Sequence, residues 1–338
     1  MNRGFFGRIE AASLPRTISE SLEWIHWTDK VKSDSTIFVK PNFTWPKFRP
    51  GVVTSPEFLS ALLPILKSRA HRVIIGESDL PIFRTSAAFS GLGIDKICKL
   101  SGAEMVELSH SEFASRQVHV GGRNIRLVLP KLVLDDVDVL VNAAVPKCHV
   151  VTGVSGAMKN VYGLIPDPYR GNMYRHDINR AIVAVNKTVP SDLVVMDGLY
   201  SLAGRGPIVG LPVKTNVILA ADNAVAADSI VCRMFDMDPR RIGHLKLAVK
   251  EGIGSIDPGA VQMSSSIGTI RLRPKRAIMD YFAVLTFKSR IINKTIMQSP
   301  LTPLLYQMLR PLRSPREQER YRRDIGELPK SQYKRIRD

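Results

Sequence analysis

Apolar runs that break off on a charged or amide residue recur along this chain, separated by stretches with helical periodicity. Residues 35–43, STIFVKPNF, are the first such run and end on Lys40-Pro41-Asn42; residues 71–78, HRVIIGES, are the next and end on Glu77-Ser78. Their β-branched and aromatic content suits strands. Between them, residues 55–69 predict a helix with Ser55 as N-cap and Pro56 at its first position, the residue types that a helix start selects. Strand, helix and strand in that order make a right-handed βαβ unit and so a parallel sheet.

The style continues. Residues 85–102 predict a helix in two pieces, 103–110 a short strand, 117–130 a hairpin turning at Gly121-Gly122, and 137–145, VDVLVNAAV, a buried strand. In the second half, 192–199 predict a strand delivering Asp197, and 204–212 a glycine-rich loop. Residues 213–235 predict a strand running into a helix with Asp222 as N-cap and Asp228 on the helix, and 238–254 a further helix ending at glycine. The expected fold class is α/β: a mostly parallel sheet or sheets built from βαβ units over residues 1–270, either continuous or split into lobes of about 30–145 and 146–270 with a cleft between them.

A length of 338 residues with 44% apolar content is enough for one large domain or two smaller ones. The chain has no run of eighteen apolar residues and no apolar core in MNRGFFGRIEAASLPR of the kind a secretory signal carries, so a cytoplasmic location is expected. Cys98, Cys148 and Cys232 lie far apart without a Cys-x-x-Cys pair. That spacing speaks against structural zinc, a ferredoxin-type iron-sulfur cluster and a disulfide framework. Cys148 sits between Lys147 and His149, where it is either an activated thiolate or, by alternation, an inward-pointing core thiol.

Charge is uneven. Residues 271–338 hold 17 Lys/Arg against 6 Asp/Glu, which is +11 of the net +17. Residues 276–298 mix aromatic and aliphatic side chains with Lys and Arg, LTPLLYQMLRPLRSP follows, and a highly charged tail closes the chain. This basic, helical C-terminal extension reads either as an interfacial element for an anionic membrane surface, at the inner face of the cytoplasmic membrane, or as a packed helix followed by a solvated tail. No recognised nucleic-acid module precedes it, so no specific nucleic acid is expected.

Candidate chemistry concentrates between Lys147 and Asp177, just after the 137–145 strand. Lys147, His149, Lys159, Arg170, Arg175 and His176 lie there, with Thr152, Gly153, Ser155 and Gly156 between them. Cations beside hydroxyls and glycine backbone at a strand's carboxyl end suit an anionic small-molecule ligand, and a solvated basic loop is the plainer alternative. Elsewhere, Glu77 is either a carboxylate base or metal ligand, or a surface acid; Asn42 and Asn160 either bind an oxyanion or form turns. Asp197 reads as a ligand or a turn residue, while GRGPIVG is not a recognised phosphate fingerprint. His26, His71, His110, His119 and His244 have no second ligand near in sequence and are assigned structural or exposed positions.

With these residues in view, the chain resembles the family catalogued as domain of unknown function 362. The resemblance covers most of residues 35–255: V-K-P-N, T-S-P-E-F-L, I-G-E-S, P-K-x-H, S-G-A-M-K-N-x-Y-G, the later H-D, V-M-D-G, G-P-I-V-G and A-A-D-N-A-V-A-A-D. Some members carry a ferredoxin-like cysteine module, which this pattern lacks. More distantly, His149, Ser155-Gly156, Lys159 and His176 stand in nearly the spacing found in the nickel-pincer lactate racemase family. That resemblance implies a proton shuttle at His149, a cofactor or anion anchor at Lys159 and a metal ligand at His176. Two departures accompany it: Glu77-Ser78 stands where the racemases have a second catalytic histidine, and Lys40-Pro41-Asn42 replaces their Asp-His-Thr-Arg-Pro segment.

The expectation that follows is an enzyme acting on a hydroxy-acid-like, phosphorylated or sugar-linked anion by metal- or cofactor-assisted proton or hydride transfer. Lys40, Asn42, Lys147, Lys159, Asn160 and the Ser155-Gly156 backbone would hold ligand or cofactor. Glu77 and His176 would hold a divalent metal, and His149 and Glu77 would move protons. The alternative is a non-catalytic anion- or cofactor-binding protein attached to the membrane surface.

Overall fold

The structure is a computed structural model that describes residues 1–9, 13–80, 83–166 and 169–275 with Glu319 and Arg323, and only the backbone at 171, 172 and 174–176. The expected helical extension therefore lies almost wholly outside the described residues.

The chain opens with β1 (Asn2–Arg8), α1 (Leu14–Trp24) and the single turn α2 (Trp27–Lys30). β2 (Thr36–Pro41), α3 (Pro56–Lys67) and β3 (Arg72–Glu77) form the predicted βαβ unit, and Ser55 caps α3 by accepting from the Phe58 amide at 3.2 Å. α4 (Thr85–Leu92) and α5 (Ile94–Ser101) lead to β4 (Glu104–Glu107). The predicted hairpin follows as β5 (Phe113–Val120) and β6 (Arg123–Pro130), turning through Gly121 and Gly122 at φ +57° and +76°. Glycine adopts that backbone without steric cost. Next come α6 (Lys131–Asp135), β7 (Val139–Ala143), the short pair β8 (Lys147–His149) and β9 (Gly153–Ser155), α7 (Ala157–Val161) and α8 (Tyr169–Thr188), which kinks at Asp177. A long hairpin of β10 (Leu193–Arg205) and β11 (Val209–Ala221) precedes α9 (Ala224–Met234), α10 (Gly243–Lys250) and β12 (Val261–Met263).

One sheet takes strands from both halves of the chain, in the order β12-β1-β11-β10-β7-β2-β3-β4, with β8 and β9 attached beside β10. β11 runs antiparallel to β10 and β1; the pairings among β10, β7, β2, β3 and β4 are all parallel. The two candidate lobes thus share a single sheet. Alternation along each strand sorts the core: Ile37, Val39, Val73, Ile75, Val139 and Val141 pack with α1, α3, α4 and α5 on one face. Phe38, Ile74, Leu140, Val194 and Met196 pack with α7, α8 and α9 on the other. Burying each such side chain contributes roughly 1.5–3 kcal/mol, and coverage on both faces is what a largely parallel sheet requires.

Two sequence readings are corrected. Residues 204–212 are the end of the β10–β11 hairpin rather than a separate loop, since cross-strand pairing continues from Gly204–Gly210 to Arg205–Val209. The N-cap of α9 is Asn223, whose side chain accepts from the Val225 and Ala226 amides at 2.9 and 3.1 Å. Asp222 instead accepts from the Arg3 amide of β1 at 3.0 Å.

The chain moves from β2 outward through β3 to β4, then returns to place β7 on the other side of β2. The carboxyl ends of β2 and β7 therefore flank a topological switch point, where neighbouring connections diverge and leave a crevice.

Candidate functional site

Residues at that switch point come from four elements. Lys40 is the penultimate residue of β2, Glu77 ends β3, Asn142 lies near the end of β7 and Lys147 begins β8. All four are buried, Lys40, Asn142 and Lys147 completely. Lys40 Nζ donates to Glu77 Oε2 at 2.5 Å and to the Pro41 carbonyl at 2.8 Å. The second oxygen of Glu77 accepts from the Ser78 amide at 2.9 Å. Gly163 lies over this pair: a Cβ there would stand 3.0 Å from Lys40 Nζ and 3.1 Å from Glu77 Oε1. Lys147 Nζ donates to Asn42 Oδ1 at 3.1 Å and to the Val52 carbonyl at 2.6 Å, with no carboxylate among these partners. Thr54 fixes the intervening loop, accepting from the Asn42 amide and donating to the Ala143 carbonyl, both at 2.8 Å.

Two asparagines fasten α7 to the strand ends. Asn160 Nδ2 donates to the Lys40 carbonyl at 3.0 Å and to Asn142 Oδ1 at 2.8 Å, while Asn142 Nδ2 donates to the Ala157 carbonyl at 2.9 Å and to Ser191 Oγ at 3.0 Å. The start of α7 is held by Asp228 of α9, which accepts from the Ala157 amide at 2.5 Å and the Met158 amide at 3.2 Å. A Cβ on Gly156 would lie 2.2 Å from Asp228 Oδ1, so only glycine allows this approach. The protein's own carboxylate thus occupies the amides just after Ser155-Gly156. Lys159, half-buried on α7, faces the same electrostatic neighbourhood as Lys147 and Arg170.

Burial and neighbouring charges shift these groups. Burial pushes Lys147 well below the usual lysine range, Lys159 and Lys40 push it further, and Glu77 pulls it partly back. Burial lowers Lys40 against the opposing pull of Glu77. Lys159 falls to about 8 through burial and then repulsion from Arg170. Arg170 donates to the Asp79 carbonyl, and its buried Nε has no hydrogen-bond partner among the described residues. Lys40, Lys147, Lys159 and Arg170 thus act on one another, and Glu77 pulls against the lowering of Lys40 and Lys147. Buried charge is costly to hold, and an anion bound here would offset the mutual repulsion of these cations.

His149 is buried at the end of β8. Its Nδ1 accepts from the Val151 and Thr152 amides at 3.1 and 3.3 Å, so the neutral ring carries its proton on Nε2. Burial, then Lys159, Lys147 and His244, holds it well below the usual histidine range. Imidazolium is disfavoured, and the ring is set to donate through Nε2. Cys148 points into the core as an inert thiol raised to about 11 by burial. Asp197 is buried near the β10 bulge, where it accepts from the Ser55 amide at 2.7 Å and the Leu199 amide at 3.2 Å; burial raises it to about 6.

The structure brings Lys40, Asn42, Glu77, Lys147, His149, Lys159 and Asn160 to one edge of the sheet. His176 falls on α8, and its side chain lies outside the described residues. Sequence reasoning passed over Asn142, although an amide at the end of an otherwise apolar run marks it. The partnership of Asp228 with α7 has no local signal.

The matching family model spans residues 37–233 and carries the description "Domain of unknown function (DUF362)"; the chain belongs to this family. Among individual proteins, a thylakoid-associated protein of Synechocystis sp. is 24% identical over 281 residues, covering 80% of this chain and 83% of that one. A crystal structure of a Thermotoga maritima protein overlaps with a TM-score of 0.37 and 14% identity, across 59% of this chain and 52% of the other.

Proposed function

We propose that the protein is an enzyme that binds a small carboxylate- or phosphate-bearing molecule at the β2–β7 switch point. The observation that carries this reading is the gathering of buried Lys40 and Lys147 with half-buried Lys159 and Arg170 beside Glu77. The substrate would be hydroxy-acid-like, phosphorylated or sugar-linked, and the reaction an isomerisation, elimination or redox step. In that step the neutral His149 ring keeps its proton and hydrogen-bonds through Nε2–H to an oxygen gaining charge beside the reacting carbon, while the lysines hold the anionic group. With Nδ1 already accepting two amides, His149 serves as donor more readily than as base.

A divalent metal fits poorly at Glu77. Its carboxylate is engaged by Lys40 and by the Ser78 amide, and the surrounding lysines would repel a cation. No step is therefore routed through a metal. An organic cofactor with an anionic group fits the cluster as well as a substrate does.

A non-catalytic anion or cofactor carrier is the second reading, favoured because both groups expected to move protons are held in place. To separate the two, thermal shift against a panel of hydroxy acids, phosphorylated sugars and inorganic phosphate would find ligands, and turnover of the hits would then be followed in wild type and His149→Gln. Turnover lost in the variant with affinity retained supports the enzyme; binding with no turnover in either protein supports the carrier; no anion binding overturns both.

No helix among the described residues is long and apolar enough to cross a membrane. A peripheral position at the cytoplasmic face of a membrane is supported by the +11 charge of residues 271–338 and by the thylakoid association stated for the Synechocystis relative.

A further inference from the structure

The β10–β11 hairpin continues far beyond the sheet. β10 pairs with β7 only at Leu193 and Val194, then runs on to Arg205, with Leu202 beside Lys147 of β8. Eleven more residues at about 3.3 Å each carry its tip well past the carboxyl ends of the parallel strands. Leu211, on the return strand opposite Ala203, is 70% exposed. An adjacent loop rises at the same edge: Arg49 donates to the Ile208 carbonyl at 2.9 Å, and next to it Phe48 is 43% exposed. Single exposed apolar residues are ordinary, but these two large ones are carried by tied, neighbouring projections.

Lys47, next to Phe48, is exposed and donates to the Arg323 carbonyl of the C-terminal segment at 3.4 Å, while Lys214, three residues from Leu211 on β11, is exposed on the opposite face of the hairpin. The described chain also leaves here: the Gly204 amide donates to the Arg273 carbonyl at 3.2 Å, and Lys275 Cβ lies 3.9 Å from the position a Gly204 Cβ would take. The 63 residues that follow Lys275 begin RAIMDYFAVLTFKSRIINKTIMQ, so the apolar and basic extension departs from the edge that bears Leu211 and Phe48. Apolar tips beside the departure point of a basic segment match an anionic bilayer, where aliphatic and aromatic groups enter the acyl boundary and cations meet headgroups.

We propose that this edge of the folded domain, through Leu211 and Phe48, docks on an anionic lipid bilayer and turns the switch-point site toward the headgroups. The proposal rests on the membrane reading above and assigns it a face. It does not depend on which anion the site binds.

The test is co-sedimentation of the full chain with vesicles of phosphatidylcholine alone or with about 30% phosphatidylglycerol as a probe of the surface charge that attracts basic segments. Variants would be Leu211→Glu, Phe48→Glu and, as a control on an exposed apolar residue at the end of α5 that leads into the amino end of β4, Leu100→Glu. The expected result is binding that requires phosphatidylglycerol and weakens about tenfold, or about 1.4 kcal/mol, in each of the first two variants while Leu100→Glu binds as wild type. Melting temperatures of all four proteins check the fold, and Leu211→Ser and Phe48→Ser replace any glutamate variant that melts early. Wild type that ignores anionic vesicles would overturn the membrane reading itself. Wild type that binds while both hairpin and loop variants bind equally well would overturn the face and leave the extension as the anchor.

Discussion

Replacing Glu77 by glutamine removes the carboxylate from a cluster of buried and half-buried cations while keeping its size and an acceptor oxygen. Lys40 is fully buried and donates to Glu77 at 2.5 Å, and Lys147, Lys159 and Arg170 lie in the same field. Removing one partner of a buried pair costs about 3–5 kcal/mol, a large fraction of the roughly 5–15 kcal/mol that holds a domain together. The amide oxygen of the substituted side chain would still accept from Lys40 or from the Ser78 amide, which favours the lower end of that range. The expected loss is therefore about 3 kcal/mol, measured as the change in urea midpoint at unchanged slope. Inorganic phosphate should offset much of it. Ligand at about a hundred times its dissociation constant stabilises by about 2.7 kcal/mol, and the variant, stripped of its internal counter-charge, should bind phosphate more tightly than wild type. The double variant Lys40→Met/Glu77→Leu, which removes both charges, should lose less than Glu77→Gln. A loss below about 1 kcal/mol in Glu77→Gln, well under the usual cost of breaking a buried pair, or phosphate that stabilises it no more than wild type, would refute the argument that Glu77 offsets the mutual repulsion of these cations.

Three further outcomes are expected. Lys159 titrates near 8, so anion affinity should fall as pH rises through that value and binding at pH 8 should take up protons, seen by calorimetry in buffers of different ionisation heat; Lys159→Gln should bind weakly and without this pH dependence. Asp197 is raised to about 6, so its neutral form is favoured in the fold: wild type should lose up to about 3 kcal/mol relative to Asp197→Asn as pH rises from about 4 to about 6.5, and parallel stability curves for the two proteins would contradict this. Gly156→Ala would drive a methyl against Asp228 Oδ1 at 2.2 Å; it should cost about 1–3 kcal/mol by thermal or urea unfolding and weaken anion binding through displacement of α7.

The parts of the fold written in local code were legible. Ser55-Pro56 announces α3, the apolar runs of β2, β3 and β7 announce strands, and Gly121-Gly122 announces a hairpin whose φ values only glycine adopts freely. What the sequence hid depends on distant partners. Gly204, Gly206, Pro207 and Gly210 read as a loop because nothing local shows β10 and β11 pairing along thirteen residues each. Lys40 and Glu77, or Lys147 and Val52, meet only because parallel strands align their carboxyl ends. Asp228 sits mid-helix on α9 and shows its role only against the backbone of α7, 70 residues away. The candidate residues were visible as types, whereas their pairing, which decides who is charged and who is held, is a property of the assembled sheet.

The antiparallel side of the sheet also shapes how the chain comes together in time. β1 has its antiparallel partner in β11, with Gly4 opposite Ala221 and Arg8 opposite Val217, and its parallel partner in β12 at Val261–Met263. A chain emerging from the ribosome therefore makes its first strand roughly two hundred residues before either neighbour exists. Closing so long a loop costs entropy before any contact repays it. Phe6, buried in the finished fold on the face of α7, α8 and α9, lacks its partners through that interval, whereas Phe5 can pack on α1 and the β2–α3–β3 unit can already assemble from neighbouring segments. The edge formed by β1 and β12 thus closes late, and an early-synthesised apolar strand waiting for a late partner is the kind of unpaired segment that favours misassembly.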